Sequence, residues 1–314
     1  MLFSILIPAY KRRFLAESIQ SVIDQTMPDW ELIIVDDASP EALQPVVEQF
    51  HSSRIRYYRN ECNFGAVRVV DNWNRCLSYA SGEYVLCMGD DDRLCPTCLE
   101  EFKRLIERYP GLSVYHGLTE VIDEDGQVVD FQEQRPEWES VYSMMWHRLL
   151  RGRRQFIGDF LFRTDDLKKQ GGFYRLPLAW GSDDITAYRA SAEKGIANVQ
   201  NVVVFQYRVS SVTISKSADV LIKLEALSQE RDWIGRFLED CPSDALDRGY
   251  HGLLLRGVDK YYRMRVMDAI REDLNGAPLS RTFFWLAKKR AGIPLRYRIA
   301  LILEAVIRRR FFLI

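Results

Sequence analysis

The sequence predicts an α/β protein, a mostly parallel sheet flanked by helices, with a C-terminal helical extension. Three observations predict it. Short, continuously apolar runs alternate with segments of helical spacing through residues 1–112. Two of those runs lead straight into acidic clusters, Asp36-Asp37 and Asp90-Asp91-Asp92, at the strand ends where an open parallel sheet binds ligands. From about Lys216 onward the pattern is helical and rich in Arg.

Leu2 to Ile7 is an apolar run ended by Pro8 and reads as a buried strand. Phe14 to Gln25 carries Leu15, Ile19, Val22 and Ile23 at helical spacing. Leu32 to Val35 is a second strand, Glu41 to Phe50 a second helix, and Ile55 to Tyr58 a third strand. Ala66 to Ala80 reads as a helix stopped by Ser81-Gly82. Tyr84 to Met88 is a fourth strand, and Pro96 suits the first turn of a helix ending near Tyr109. Such alternation argues for strands covered on both faces. In the middle of the chain, Ser113 to His116, Val121-Ile122, Val128-Val129, Gln155 to Arg163 and Val202 to Tyr207 read as strands. Asp125-Gly126 supplies a hairpin turn, and Asp183 to Lys194 reads as a helix. The expected organisation is 1–112 and 113–215 as two halves of one domain, then 216–314 as a helical region able to associate with a membrane.

Of the 314 residues, 47% are hydrophobic and 28% charged, so a sizeable core is expected. The formal net charge of -1 means that any anionic ligand must be held locally rather than by bulk charge. No signal-peptide pattern opens the sequence, and no run approaches the roughly 18 apolar residues of a spanning helix. A cytoplasmic protein is expected, with peripheral contact to the cytoplasmic face of the inner membrane as an option. Six cysteines show no disulfide spacing, and Cys95-x-x-Cys98 lacks the second pair or the histidines of a zinc site.

Three consecutive carboxylates after a buried strand repel one another, and a divalent cation offsets that. Oxygen ligands suit Mg²⁺ and Mn²⁺. The alternative is a solvated turn with a helix N-cap. Asp37 can accept hydrogen bonds from a ribose hydroxyl or a base N–H, while Asp36 is equally well placed to be structural. Tyr10 can stack on a base. Pro8-Ala9-Tyr10-Lys11 cannot form a dinucleotide fingerprint or a P-loop, which separates the chain from dehydrogenases and kinases.

Ile5 to Tyr10, Ile33 to Ser39, Asn63-Phe64-Gly65, Gly82 to Val85 and Asp90 to Asp92 follow one another in the order of the family 2 glycosyltransferases. The series continues through Gly171-Gly172-Phe173, Asp183-Asp184, and Tyr207-Arg208 with Ser210 to Thr213. Over residues 2–215 the chain resembles that family. The resemblance implies a GT-A fold and inverting transfer from a nucleoside diphosphate sugar, a UDP-sugar as a family-level expectation, to an acceptor hydroxyl. It also implies nucleotide-sugar contacts at Pro8, Tyr10, Asp37, Arg68, Asp90 and Arg208, and a metal at Asp91 with Asp92 next. Gly89 stands where the family's D-x-D-D form often has its first Asp. Asp184 is implied as the base that takes the acceptor proton, with Asp183 beside it to keep it receptive; the alternative is an N-capped helix with acids at its positive end. Trp180 is a candidate stacking surface for an acceptor sugar. Arg208 and the Ser/Thr segment behind it are expected to close over the diphosphate.

Residues 285–310 place Lys288, Lys289, Arg290, Arg296, Arg298, Arg308, Arg309 and Arg310 among apolar residues. A helix of that kind either lies on an anionic membrane or packs with a basic outer face. The first option suits a lipid-linked saccharide acceptor in envelope polysaccharide or glycolipid synthesis. Two rival functions are a sugar nucleotidyltransferase, which wants a Gly-rich basic loop after the first strand, and a non-catalytic sugar-nucleotide-binding protein. Nucleic-acid binding is not expected, because no aromatic platform accompanies the basic residues.

Overall fold

The computed structural model describes residues 1–209 and 219–275, with Arg281, Phe284, Trp285, Arg296, Tyr297, Ile299, Ile302 and Leu303. The chain divides into two units, Met1–Ser217 and Ala218–Ile314.

In the first unit, four strands run parallel: β1 (Phe3–Ala9), β2 (Trp30–Asp36), β3 (Ile55–Arg59) and β4 (Tyr84–Cys87). β1 lies between β2 and β4, and β3 flanks β2. The continuous apolar runs are explained by this position, since every residue of β2 is buried. Helices α1 (Leu15–Ile23), α2 (Gln44–Val47), α3 (Val69–Tyr79) and α4 (Cys98–Arg108) alternate with them. Leu15, Ile19 and Val22 of α1 pack with Phe3, Ile5 and Ile7 of β1 in one core cluster.

The second half of the sheet is mixed. It contains β5 (Arg93–Leu94), β6 (Val114–Ile122), β7 (Val128–Phe131), β8 (Trp138–Glu139), β9 (Phe160–Arg163) and β10 (Ile196–Arg208). The described strands form one sheet, β3-β2-β1-β4-β9-β6-β10-β5, with β7 on β6 and β8 on β10. β9 is antiparallel to β4 and β6, whereas β6 and β10 are parallel. Helices α5 (Val141–Arg151), α6 (Thr164–Lys169) and α7 (Ser182–Ser191) complete the unit. The architecture is the mixed α/β, GT-A type that the sequence predicts.

Several boundaries differ from the expectation for physical reasons. The helix expected over Glu41 to Phe50 shrinks to α2, because Pro45 lacks an N–H and tolerates only a first-turn position. The two strands expected at Ser113–His116 and Val121-Ile122 are one strand, β6. Gly117 does not break it; a Cβ there would lie 2.3 Å from Val204 Cγ2, so the glycine admits β10. β9 begins at Phe160 rather than Gln155, because Asp159 accepts the Phe156 N–H (2.6 Å) and closes a 3-10 turn. β10 begins at Ile196 and shifts register between Asn198 and Val203. β5, β8 and α5 have no counterpart in the sequence expectation.

The second unit contains α8 (Val220–Phe237) and α9 (Ala245–Leu274), N-capped by Asp219 and Asp244. They pack on each other, and Lys223, buried in α8, reaches Glu272 of α9 at 3.3 Å. Most of the basic stretch 285–310 lies outside the described residues, as does the segment Ser210 to Thr213. No helix among the described residues is long and apolar enough to cross a membrane.

Gly82 explains why its motif begins with glycine. A Cβ there would lie 2.7 Å from the β1 backbone at Phe3 C and Ser4 N, and β1 is fixed by strands on both sides. Beside it, Glu31 of β2 is buried and accepts from Ser4 Oγ (2.6 Å), Ser81 N and Ser81 Oγ (both 2.8 Å), and it pairs with Arg56. Burial alone would push the Glu31 carboxyl up. The Ser4 and Ser81 hydrogen bonds outweigh it and hold the group below its ordinary value of 4.5. A depressed folded-state value means that this stability is complete above about pH 4.5 and is lost as pH falls through the folded value. Glu31→Gln should therefore flatten the acid limb of the stability–pH curve, measured by urea unfolding at pH 3 to 7. An unchanged limb would mean that Glu31 is as stable protonated as charged.

Candidate active site

The site is built where β1, β2 and β4 end. Because β1 and β4 pair with Leu6 beside Cys87, the turn after one strand lies against the turn after the other. Asp90 Oδ2 accepts the backbone N–H groups of both Tyr10 and Lys11 at 2.6 Å. Asp90 is thereby fastened to the end of β1. Burial, with the Asp91 charge beside it, pushes its carboxyl up to about 6.

Asp92 is likewise buried and held by backbone. Its Oδ2 accepts Gly89 N (3.1 Å) and its Oδ1 accepts Arg208 N (2.9 Å). Burial and Asp91 push it well above the carboxylate range. Asp91 is the least buried of the three, and its Oδ2 lies 3.5 Å from Lys11 Nζ. A Cβ at Gly89 would come within 2.8 Å of both Asp91 Oδ1 and Asp92 Oδ2. The missing side chain leaves a cradle in which two carboxylate oxygens approach the same point. Among the described residues, no group of three or more His, Cys, Asp or Glu converges as a metal cage.

At the end of β2, Asp36 is structural. It accepts Ser39 N (2.7 Å) and Tyr57 Oη (2.6 Å) and pairs with Arg59. Asp37 accepts Asn60 Nδ2 (2.9 Å) and Phe64 N (3.0 Å), so its carboxylate anchors the Asn63-Phe64-Gly65 turn. The next residue, Ala38, has φ of 49°, a left-handed conformation that costs about 1 kcal/mol or more outside glycine. Pro8 is half-buried on β1, and Tyr10 is 42% exposed at the mouth of the turn. Arg68 stands over the Phe64 ring at 5.1 Å and donates to Asp71 (2.7 Å), which also accepts from Arg175 (2.8 Å).

Arg208, expected to close over the diphosphate, is 2% exposed beneath the acidic loop. It donates to the carbonyls of Asp91 (2.8 Å), Asp123 (3.1 Å) and Glu124 (3.2 Å) and to Glu17 Oε2 (2.7 Å), over the Phe14 ring at 4.1 Å. The planar guanidinium suits this fan of acceptors. Its work is to hold the acidic loop in place.

Asp183 and Asp184 open α7, whose N-cap is Gly181. Leu178 (φ 63°) and Ala179 (φ 56°) bring the chain there through another left-handed turn. Asp184 is 1% exposed. Arg148 Nε donates to both its oxygens (2.9 and 3.1 Å) and Gln155 Nε2 to Oδ1 (2.5 Å). These partners close a circuit. Arg135 donates to Gln155 Oε1 (3.1 Å) and lies 3.9 Å from Glu139, Glu139 accepts from Arg153 (2.6 Å), and the Arg153 carbonyl accepts from Arg148 (3.1 Å). Asp183 is half-buried. Tyr207, stacked on Phe156 with ring centres 3.8 Å apart, has its hydroxyl pushed up by burial and by the charges of Asp92, Asp91 and Asp183. One tyrosine thus feels both acidic clusters. Trp180 is half-buried before the pair. Arg148, Gln155 and Lys11 are site residues that the motif series does not contain.

The fold, with carboxylates at its strand ends, defines a protein of GT-A type. The chain belongs to the glycosyl transferase family 2, whose model matches residues 4–165. It is 35% identical over 117 residues to the putative glycosyltransferase EpsE of Bacillus subtilis (strain 168), covering 36% of this chain and 41% of that one. It is 32% identical over 132 residues to the UDP-Glc:alpha-D-GlcNAc-diphosphoundecaprenol beta-1,3-glucosyltransferase WfgD of Escherichia coli, covering 41% and 50%. The chain thus spans half or less of the length of these relatives. A crystal structure of S. aureus TarS 1-349 in complex with UDP-GlcNAc superposes with a TM-score of 0.66 at 17% identity, covering 97% of this chain and 89% of that one. That likeness is one of fold.

Arg208→Met removes the guanidinium that, among the described residues, ties these carbonyls and Glu17 together. It should cost about 2–4 kcal/mol in denaturant unfolding, and Arg208→Lys should recover only part of it. A loss below about 0.5 kcal/mol for Arg208→Met would mean that Arg208 does not hold the loop.

Proposed function

We propose that the chain moves a sugar from a nucleoside diphosphate sugar, a UDP-sugar, to a hydroxyl of a saccharide or lipid-linked saccharide, with inversion, in cell-envelope polysaccharide or glycolipid synthesis. The observation that carries this reading is the meeting of the β1 end, carrying Tyr10, with the Asp90–Asp92 loop. WfgD, whose name gives a UDP-Glc donor and a diphosphoundecaprenol-linked acceptor, supports the choice of donor and acceptor class.

In this reading Tyr10 offers its exposed ring to the base. Asp37 and Arg68 border the nucleotide, and Pro8 shapes the floor beneath it. Asp91, with Asp92 behind it across the Gly89 cradle, would hold Mn²⁺ or Mg²⁺, since paired carboxylate oxygens fit a hard cation. Such a cation, when bound, supplies positive charge to the departing diphosphate. Asp90 keeps the two turns together. The Asp183–Asp184 pair takes the acceptor proton as the hydroxyl attacks the anomeric carbon from the face opposite the diphosphate. Arg148 and Gln155 hold Asp184 so that the pair keeps one orientation.

Purified protein with Mn²⁺ or Mg²⁺ and a panel of UDP-, GDP- and dTDP-sugars should release free diphosphate from one donor, and EDTA or Asp91→Ala should abolish the release. Absence of both release and donor binding would remove the transferase reading.

Asp183→Asn and Asp184→Asn should each lower transfer by about 10²–10⁴-fold. Asp184→Asn should also lower the melting temperature, because it breaks the ion pair with Arg148. Full transfer by either variant would take that residue out of the base.

A further inference from the structure

We propose that Lys11 is the protein's own cation at the diphosphate end of the donor site: it pairs with Asp91 and turns to the diphosphate when nucleotide binds. The inference rests on the donor reading above and adds a residue that the family motif does not contain.

Three observations converge on Lys11. Its backbone is fixed, because Lys11 N donates to Asp90 Oδ2 at 2.6 Å, alongside Tyr10 N. The residue therefore starts from the same clamp that joins the two halves of the site. Its Nζ stands 3.5 Å from Asp91 Oδ2, the carboxylate of the acidic loop that is not buried. That distance is an ion pair rather than a charge-assisted hydrogen bond of roughly 2.7–2.9 Å. Both side chains reach solvent, with 34% of Lys11 and 18% of Asp91 exposed.

The neighbouring carboxylates leave Asp91 as the natural partner for an added cation. Asp90 is held by two backbone N–H groups, and Asp92 by two more. A divalent cation arriving at Asp91 meets the Lys11 ammonium there, and the two repel. Lysine carries a compact charge on a flexible four-carbon stem. From a fixed backbone that stem can release Asp91 and place its charge on the phosphate oxygens. A nucleoside diphosphate brings the negative charge that makes the exchange favourable. Lys11 therefore opposes metal binding to the empty protein and favours nucleotide binding, which couples the two events.

The test is titration calorimetry on the full chain, wild type against Lys11→Met, which keeps the stem and removes the charge. Three titrations are run: Mn²⁺ alone, UDP in EDTA, and UDP with saturating Mn²⁺. Lys11→Met should bind Mn²⁺ alone at least 3-fold more tightly and UDP in EDTA about 10-fold more weakly. Lys11→Arg should remain near wild type in both. Melting midpoints should agree within a few degrees, since a partly exposed surface ion pair contributes little to stability. Unchanged Mn²⁺ and UDP affinities in a folded Lys11→Met protein would overturn the proposal and leave Lys11 as an ordinary surface ion pair. A wild-type protein that binds neither UDP, GDP nor dTDP, with or without Mn²⁺, would overturn the donor reading itself.

Discussion

The site depends on one carboxylate capturing two consecutive backbone N–H groups. Asp90 reaches from the end of β4 to the end of β1 and accepts from Tyr10 and Lys11 at equal, short distances. Parallel strands leave their final N–H groups without ladder partners, and here a side chain from the neighbouring strand supplies the acceptor. The cost is a buried acid in a crowded acidic turn, visible in the raised Asp90 carboxyl. What it secures is register: Tyr10, Lys11, Asp91 and the Gly89 cradle all take their positions from this clamp. Asp92 and Arg208 brace the same turn from below. An acidic triplet that would otherwise splay apart becomes a rigid loop with one outward carboxylate.

The second acidic cluster is steadied differently. Asp184 is enclosed in a circuit of Arg148, Gln155, Arg135, Glu139 and Arg153, drawn from α5, β8 and the loops around them. Buried charges persist when each is paired, and in this circuit three guanidinium groups face two carboxylates. The arrangement fixes the start of α7 and leaves Asp183 as the less enclosed member. Tyr207 is influenced by the charges of both clusters.

Much of this is legible in the sequence where local pattern and position coincide. The parallel half of the sheet can be read because buried strands are continuous apolar runs. Its strand-end carboxylates stand out as candidates because such sheets bind ligands where those runs end. The ordered motifs carry the family. Two kinds of feature escape. Pro45 and Gly117 reverse local expectations, because a missing N–H limits one helix and a missing Cβ lets two strands meet. Long-range pairings escape as well. The spacing of Val141, Met144, Met145 and Leu149, ended by left-handed Gly152, is a helix signature, yet no spacing shows that Arg148 meets Asp184. Arg208 is visible as a motif residue, but its role is not. A motif marks that a guanidinium matters, and only the fold shows that it reaches the carbonyls beneath the acidic loop.

The reach of Arg208 has a consequence for how the molecule comes into being. Its hydrogen bonds to the acidic loop join residues 117 positions apart, from the end of the last sheet strand to a turn made in the first third of the chain. During synthesis the parallel strands and their helices can assemble while the rest is still being added, since their contacts are comparatively local. The acidic loop cannot be braced until residue 208 has emerged. A nascent chain therefore carries the parallel half of its sheet before its acidic loop is braced, and β10 completes the candidate site.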